Sequence, residues 1–206
     1  MKNEKWFVRN KKADFLANAK KFNIHPVIAR LIRNRDIISD EDINMFLYGT
    51  LDDLYPPAMM KNLEAAADLL VEAVGDGKKI RVIADYDVDG CMSCVILVKA
   101  LKRIGADADF DIPDRVSDGY GINQRLVKKA CDDGVSVILT CDNGIAAFEA
   151  AELSKSLGIT LIVTDHHEIP FEEHDGKRVF TLPQADIIVD PKQADDPYPF
   201  KELCGA

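Results

Sequence analysis

From Lys79 onward, short apolar runs of strand length alternate with segments that have a helical pattern. The apolar runs cover residues 80–84, 106–112, 135–140, 159–163 and 187–189, and the helical segments cover residues 92–104, 124–132 and 146–157. This alternation is typical of a parallel sheet whose connecting helices cover both faces. We therefore predict an α/β fold with a parallel sheet of about five strands and helices on both faces.

The first sixty residues have a different pattern, which predicts a small helical region before the sheet. Apolar residues recur at helical spacing over residues 24–32, and Ser39 followed by Asp42 resembles a capping box. Prolines at 56–57 interrupt the pattern, and an amphipathic helix is expected over residues 63–74. The expected domains are residues 1–60, a helical region, and residues 61–206, the sheet domain.

Composition limits the class of protein. With 206 residues of which 47% are hydrophobic, the chain can bury a substantial core. No run approaches the about 20 apolar residues that a membrane span requires, and no apolar signal region follows the Lys-rich start. We therefore expect a cytoplasmic protein with no membrane partner. Its five cysteines are odd in number and lack the spacing of a disulfide framework, which favours reduced thiols.

The charge is unevenly distributed. Residues 1–35 contain ten Lys or Arg against two acidic residues, a net charge of +8, whereas the whole chain carries −9. The remainder therefore carries −17. The basic segment is either a surface for a polyanion partner or a solvated helical arm, and the sequence leaves both interpretations open.

Three acid-rich clusters each follow a predicted strand, at residues 85–90, 141–144 and 164–167. If the strands are parallel neighbours, their carboxyl ends lie at one edge of one sheet, where open α/β folds place their sites. This convergence predicts a metal site. The alternative for a single cluster is structural, since Asp and Asn after strands often cap helices and Asn-Gly is a common turn pair.

The first cluster alone permits other interpretations. Its Asp-x-Asp-x-Asp-Gly pattern copies the start of an EF-hand loop, but position twelve is Ile96 where a bidentate Glu is required. An aspartyl-phosphate phosphatase of the haloacid-dehalogenase type fits residues 87–90 but does not account for the paired histidines. A redox pair at Cys91 and Cys94 would leave the preceding acids unexplained. Metal ligation is the interpretation that uses all three clusters.

A site of mostly carboxylates with one or two imidazoles suits Mn²⁺, with Mg²⁺ or Co²⁺ as substitutes. Three or four carboxylates can hold two cations about 3.5–4 Å apart, an arrangement that binds phosphate oxygens and generates hydroxide from water. The paired His166 and His167 should point to opposite sides, so that one ligates metal and the other faces substrate. Asp165 precedes them and could fix a tautomer.

The three clusters resemble motifs I, II and III of the DHH phosphoesterase superfamily, which is named for the sequence found here at residues 165–167. Three further segments resemble the RecJ-type single-strand-specific exonucleases within it: residues 112–121, residues 190–193 and residues 199–206. The resemblance covers nearly the whole chain. It implies a manganese-dependent hydrolase that removes nucleotides from the 5′ end of single-stranded DNA in repair and recombination.

The resemblance also implies roles for individual residues. The implied metal ligands are Asp87, Asp89, Asp142 and His166, with Asp142 bridging two Mn²⁺ ions. The implied catalytic residues are Asp85, Asp165 and His167. The implied contacts to substrate phosphate are Arg115, Tyr120 and Asn143. The implied partners are single-stranded DNA, a distal domain of the same polypeptide, and a single-strand-binding protein or helicase.

The sequence departs from the family at two points. Asp190 stands where RecJ-type proteins usually have Asn before Pro, so it is either a ligand or a turn former. The family also supplies a further acidic ligand and a second domain beyond the segment that ends here at Ala206. We therefore expect this chain to fold, to bind manganese weakly and to hydrolyse DNA poorly or not at all. The alternatives are a superfamily relative that acts on short oligonucleotides, 3′-phosphoadenosine phosphate, cyclic dinucleotides or pyrophosphate, and a non-catalytic binding module.

Overall fold

The chain divides into two units between Leu54 and Tyr55 in the computed structural model, which describes residue 5 and residues 11–206. The division lies a few residues before the expected boundary at residue 60, because Tyr55 packs edge to face on Tyr198 and Met60 packs on the core of the sheet. The two-domain organisation as such stays a prediction. Part of the basic segment, residues 1–4 and 6–10, lies outside the described residues.

The described residues of the first unit form three short helices. They are α1 (Phe15–Lys21), α2 (Pro26–Asn34) and α3 (Asp40–Tyr48), followed by a 3₁₀ turn at Leu51–Asp53. Phe22, Ile32 and Ile43 form its small core. The predicted cap of α3 is present, since the Ser39 hydroxyl accepts a hydrogen bond from the Asp42 amide at 3.0 Å.

The second unit contains the strand–helix alternation. After a 3₁₀ turn at Pro57–Met59, its elements are α4 (Leu63–Gly75), β1 (Ile80–Ala84), α5 (Val88–Arg103), β2 (Ala108–Asp111), α6 (Gln124–Asp132), β3 (Val137–Cys141), α7 (Phe148–Ser156), β4 (Thr160–Thr164), β5 (Phe171–His174), β6 (Lys177–Phe180) and β7 (Ile187–Val189). Five strands form one sheet in the order β2-β1-β3-β4-β7, and every pair is parallel. The predicted fold class is confirmed.

The two faces of the sheet are buried under different helices. Side chains alternate along each strand, so Val82 packs with residues of α4 and α5, whereas its neighbour Ile83 packs with residues of α6 and α7. The strand order reverses between β1 and β3, since β2 lies on one side of β1 and β3 on the other. The carboxyl ends of β1 and β3 therefore flank the crevice where such sheets bind ligands.

Two elements differ from the sequence prediction. Helix α5 begins at Val88 and not at residue 92, because the Asp87 carboxylate caps it by accepting a hydrogen bond from the Gly90 amide at 2.9 Å. The polar stretch expected as a surface excursion after His167 contains the antiparallel hairpin β5–β6, all of whose residues are exposed. Its turn at Asp175 and Gly176 uses two positive φ angles, a conformation typical of tight hairpins. Among the described residues, no helix has the length and apolar character needed to cross a membrane.

Candidate metal centre

The first acidic cluster lies where β1 leads into α5. Asp85 directly follows the strand and is 2% exposed, and one of its carboxylate oxygens, Oδ1, is buried without a hydrogen-bond partner among the described residues. Asp87 and Asp89 occupy the N-cap and the first turn of α5, so the positive end of the helix dipole faces the cluster. The Asp89 carboxylate accepts hydrogen bonds from the amides of Gly205 and Ala206, at 2.8 and 2.9 Å.

The second cluster lies at the end of β3. Asp142 is 3% exposed on its side chain and has a φ of 62°, a left-handed conformation that is uncommon for a residue other than Gly. Its Oδ1 lies 2.8 Å from His166 Nε2. Burial raises the pKa of Asp142 to about 6, against the opposing hydrogen bond from His166 and with support from the nearby charge of Asp89.

The third cluster follows β4 and orients both histidines. Asp165 Oδ1 accepts hydrogen bonds from the amides of His166 and His167 and lies 2.7 Å from His167 Nδ1, while Oδ2 accepts from the Ile145 amide at 2.9 Å. The Asp165 contact places the proton of a neutral His167 on Nδ1 and leaves Nε2 as an electron-pair donor. Burial lowers the pKa of His167, but the hydrogen bond and negative charge of Asp165 outweigh it, so the pKa is raised overall.

The clusters converge on Asp142. Candidate ligand atoms of Asp85, Asp87 and Asp142 lie within 4.8 Å of one another, and so do those of Asp142, His166 and His167. The two groups share one carboxylate, that of Asp142. The fourth expected ligand, Asp89, approaches the second group with its Oδ2 3.4 Å from His166 Nε2. The Oδ1 of Asp85, to which no described residue donates a hydrogen bond, is suited to bind a divalent cation.

An aromatic wall stands beside the two groups. The Tyr120 hydroxyl donates to the main-chain oxygen of Asp142 at 2.8 Å and lies 3.3 Å from His167 Nε2. Burial and the surrounding carboxylates raise the pKa of Tyr120 well above its usual value, so the phenol stays neutral and keeps its proton. Tyr86 packs edge to face on Tyr120, and the Arg115 guanidinium lies 5.2 Å from the centre of the Tyr86 ring. Among the described residues, Arg115 makes no ion pair and is exposed, so it is available for an anionic ligand.

Asn143 differs from its expected role as a phosphate contact. It is fully buried, and its side chain donates to the main-chain oxygens of Ile83 and Cys141 and accepts from the Ile122 amide. Both the amide nitrogen and the carbonyl oxygen of the Asn143 side chain are therefore engaged in hydrogen bonds inside the protein. Asn143 therefore joins β1, β3 and the segment around Ile122, and it does not reach the surface of the site.

Two residues near the site, Tyr86 and Gly205, lie in segments that the sequence singled out but were given no role there. Tyr86 is neither acidic nor a histidine, which are the residue types from which the site was predicted. Its position beside Tyr120 depends on the turn between β1 and α5. Gly205 packs so closely on Asp142 that an added Cβ would lie 2.9 Å from the Asp142 Cβ.

Asp190 forms a turn, since its Oδ1 accepts a hydrogen bond from the Lys192 amide at 2.8 Å. Burial raises the pKa of the Cys94 thiol, which is the opposite of what a reactive redox pair requires.

The chain is similar in sequence to characterised proteins. The family model described as the DHH family, N-terminal domain, matches residues 79–205. The single-stranded-DNA-specific exonuclease RecJ of Bacillus subtilis (strain 168) is 39% identical over 183 residues, which are 89% of this chain and 22% of that protein. The Escherichia coli (strain K12) protein of the same name is 34% identical over 181 residues, 87% of this chain and 29% of that protein. The chain therefore spans less than a third of the length of these relatives.

Solved structures share the fold. The crystal structure of RecJ in complex with Mn²⁺ from Thermus thermophilus matches 93% of this chain and 25% of that chain, with a TM-score of 0.61 and 28% identity. The crystal structure of exonuclease RecJ bound to manganese matches 68% of this chain and 34% of that chain, with a TM-score of 0.58 and 36% identity. The five-stranded parallel sheet and its helices are thus an arrangement that these proteins share with the chain.

Proposed function

The chain belongs to the DHH family, and from that premise we propose that its acidic centre hydrolyses phosphodiester bonds at the 5′ end of single-stranded DNA. The observation that carries the proposal is Asp142, the one carboxylate common to both groups of candidate ligands. Relatives at 39% and 34% identity are named single-stranded-DNA-specific exonucleases, which supports this substrate. The exonuclease activity, its polarity and its DNA-repair role belong to the proposal.

The proposed ligands follow from the two groups. Asp85, Asp87 and Asp142 would hold one divalent cation, and Asp142, His166 and His167 would hold the second. Asp89 is a further ligand in the proposal, reached through its approach to His166. Manganese is the first choice of metal because the site combines carboxylates with imidazoles and because similar structures are described as manganese-bound. When bound, such cations polarise a phosphate oxygen and lower the pKa of a water molecule.

The protein's own groups orient the reacting parts. Asp165 fixes the His167 ring through Nδ1, which leaves Nε2 with a lone pair that can ligate or take a proton. The Tyr120 hydroxyl donates to the Asp142 main chain and fixes the turn on which that carboxylate stands. Arg115 is exposed beside Tyr86, where its planar cation can contact a phosphate with two donors.

Two other functions were open from the sequence. A superfamily relative that cleaves short oligonucleotides would use the same centre, and competition between long single strands and dinucleotides separates the two substrates. A non-catalytic module is less well supported, because the chain contains the four ligands that the resemblance assigns to it and also His167. The cytoplasmic location, the distal domain, and the single-strand-binding or helicase partners stay predictions from the sequence.

Manganese titration by calorimetry tests the shared carboxylate. We expect Asp142→Asn to weaken binding at both sites by at least about tenfold, because one carboxylate serves both groups. Asp85→Asn should weaken one site and leave the other. The exposed Asp68→Asn on α4 is the matched control and should bind like the wild type. Equal retention of both sites in Asp142→Asn would show that the carboxylate is not shared.

A nuclease assay tests the reaction. The purified chain is incubated with manganese and a 5′-labelled single strand, a 3′-labelled single strand or a blunt duplex. We expect slow, manganese-dependent release of nucleotides from the 5′ end of single strands, absent in Asp142→Asn. Cleavage of duplex at the same rate, or activity in Asp142→Asn equal to that of the wild type, would contradict the proposed function. Rapid processive digestion would contradict only the expectation of a weakly active chain.

A further inference from the structure

A groove lined in part by His167 and Asp165 leads away from the metal centre. Near the centre it is a cavity of about 380 Å³ that includes Tyr120, Asp165 and His167 in its lining. Farther out it is a cavity of about 390 Å³ that reaches the first turns of α6 and α7. The two cavities share Ile122, Ala146 and Ala147, so they form one channel, which we call the lateral groove.

The walls of the lateral groove are held in place before any ligand binds. Asn143 accepts from the Ile122 amide on one wall and is anchored to the strands by its two donor bonds. Gly121 has a φ of 67°, and an added Cβ would lie 3.0 Å from the Asn143 Cβ. Gly144 has a φ of 117°, and its Cβ would lie 2.8 Å from the Thr140 hydroxyl. Both walls therefore require glycine, and the groove is pre-formed.

The lining fits a neutral ligand better than an anion. Glycine and alanine alternate in it with isoleucine, phenylalanine and tyrosine, and its carboxylates lie at the two ends. Glu168 lies near the metal centre, and Glu149 accepts a hydrogen bond from the Gln124 side chain at 3.1 Å at the far end. Within the part of the chain that the structure describes, no Lys or Arg belongs to the lining. A phosphate would be repelled from the far end, whereas a sugar and a base would not.

We propose that the lateral groove binds the nucleoside of the nucleotide whose phosphate lies at the metal centre. The inference rests on the proposed function, which places a phosphate beside His167. The volume of each cavity lies within the range of about 300–1,000 Å³ that small-molecule sites occupy. The Gln124 and Glu149 side chains offer a donor and an acceptor to the edge of a base at the far end.

Product binding tests the groove without requiring catalysis. Calorimetry measures the affinity of the manganese-loaded chain for deoxyadenosine 5′-monophosphate and for inorganic phosphate, which share the phosphate but not the nucleoside. We expect the nucleotide to bind about tenfold more tightly than phosphate. Ala146→Leu, at an exposed groove position, should remove this difference and leave phosphate and manganese binding unchanged. Ala67→Leu, on the exposed face of α4, is the matched control and should keep the difference.

The outcomes separate the groove from the metal centre. If the wild type binds the nucleotide no more tightly than phosphate, the groove inference fails and the proposed function stands. If Ala146→Leu weakens phosphate and nucleotide equally, the substitution acts on the metal centre and the inference also fails. If neither ligand binds the manganese-loaded chain, the proposed function fails first. Gln124→Ala provides a second variant, which should weaken nucleotide binding alone even if Ala146→Leu does not fold.

Discussion

At the scale of single residues, the site concentrates conformations and charges that cost stability. Asp142 combines a left-handed backbone with a buried carboxylate whose pKa is raised to about 6. Strained conformations and buried charges persist only where the surrounding structure holds them in place, and both are common at functional sites. The bond from Tyr120 to the Asp142 main chain and the close packing of Gly205 supply this fixation. A cation would favour the charged carboxylate, so metal and strained turn support each other.

Asp190 gives a residue-scale prediction about stability. It is fully buried, its Oδ2 has no hydrogen-bond partner among the described residues, and burial raises its pKa to about 7. Since an unfolded Asp has a pKa of about 4, the folded chain binds more protons between these values. The free energy of unfolding therefore falls as pH rises from about 4 to about 7. Asp190→Asn should remove this loss and stabilise the chain by about 1–2 kcal/mol at pH 8.

Urea unfolding in the presence of a chelator checks the Asp190 prediction. The advantage of Asp190→Asn should shrink towards zero at pH 4, where the wild-type carboxyl is protonated in the folded state and about half protonated in the unfolded state. The exposed Asp186→Asn is unsuitable as a control because Asp186 accepts a hydrogen bond from the Leu161 amide, so Asp68→Asn is used again. An Asp190→Asn protein that is less stable than the wild type at pH 8 would show that the charged carboxylate is needed.

The sequence identified some site residues and missed others for physical reasons. Asp85, Asp142 and Asp165 were predictable because parallel strands that end in acidic residues bring those residues to one edge. The direction of a side chain after a strand depends on the turn, which explains why Asn143 points into the protein and not towards substrate. Tyr86 was missed because an aromatic residue next to an acidic cluster has many ordinary positions. Individual ligand assignments stay predictions, although the two groups around Asp142 support them.

At the scale of elements, the start of α5 organises the first acidic cluster. The sequence placed the helix start at residue 92, because Asp and Gly are poor formers of helix interiors. The structure begins the helix at Val88, which makes Asp87 the cap and puts Asp89 in the first turn. Their spacing of two residues therefore places both carboxylates at one helix end, beside the buried Asp85. The strand boundaries were easier to predict, since β1 matches its apolar run from Ile80 to Ala84.

Gly90 gives a prediction about this helix start. An added Cβ at Gly90 would lie 2.5 Å from the main-chain oxygen of Asp85, closer than real contacts allow. Gly90→Ala should therefore destabilise the chain by about 1–3 kcal/mol and weaken manganese binding, although Ala is the better helix former. The control is Gly75→Ala at the end of α4, where no atom of the described residues lies within 4 Å of the added Cβ.

Urea midpoints and manganese titrations of both Gly variants separate the effect of helix propensity from the effect of the close contact with Asp85. Gly75→Ala should be stabilised by about 0.5 kcal/mol, which is the effect of propensity alone. The opposite sign in Gly90→Ala isolates the contact with Asp85. If both variants were stabilised, the close approach of α5 to the end of β1 would be wrong.

At the scale of the whole molecule, the excess of positive charge and the candidate metal centre lie in different parts of the sequence. The candidate metal centre is built from residues after Lys79, where acidic residues dominate, whereas the basic residues are concentrated before residue 36. An acidic centre needs cations to hold a polyanion, because its own carboxylates repel phosphate. The single strand proposed as substrate would therefore need additional attraction from elsewhere in the protein. The basic segment is the candidate that the sequence provides.

The salt dependence of binding decides between the two interpretations of that segment. Lys12 and Lys20 are exposed and make no ion pair among the described residues. If the segment contacts DNA, the double variant Lys12→Ala, Lys20→Ala should lose two phosphate contacts. Each lost contact reduces the slope of log affinity against log salt for a single strand by about 0.7, so the slope should fall by about 1.4 in total. Fluorescence anisotropy with a labelled oligonucleotide over a salt series measures this slope, with Asp142→Asn present in all proteins to prevent hydrolysis. Lys102→Ala with Lys128→Ala removes two exposed charges elsewhere and should leave the slope unchanged. Because both pairs change the net charge equally, a common change in slope would indicate a general field effect, and an unchanged slope in the first pair would leave the basic segment as a solvated arm.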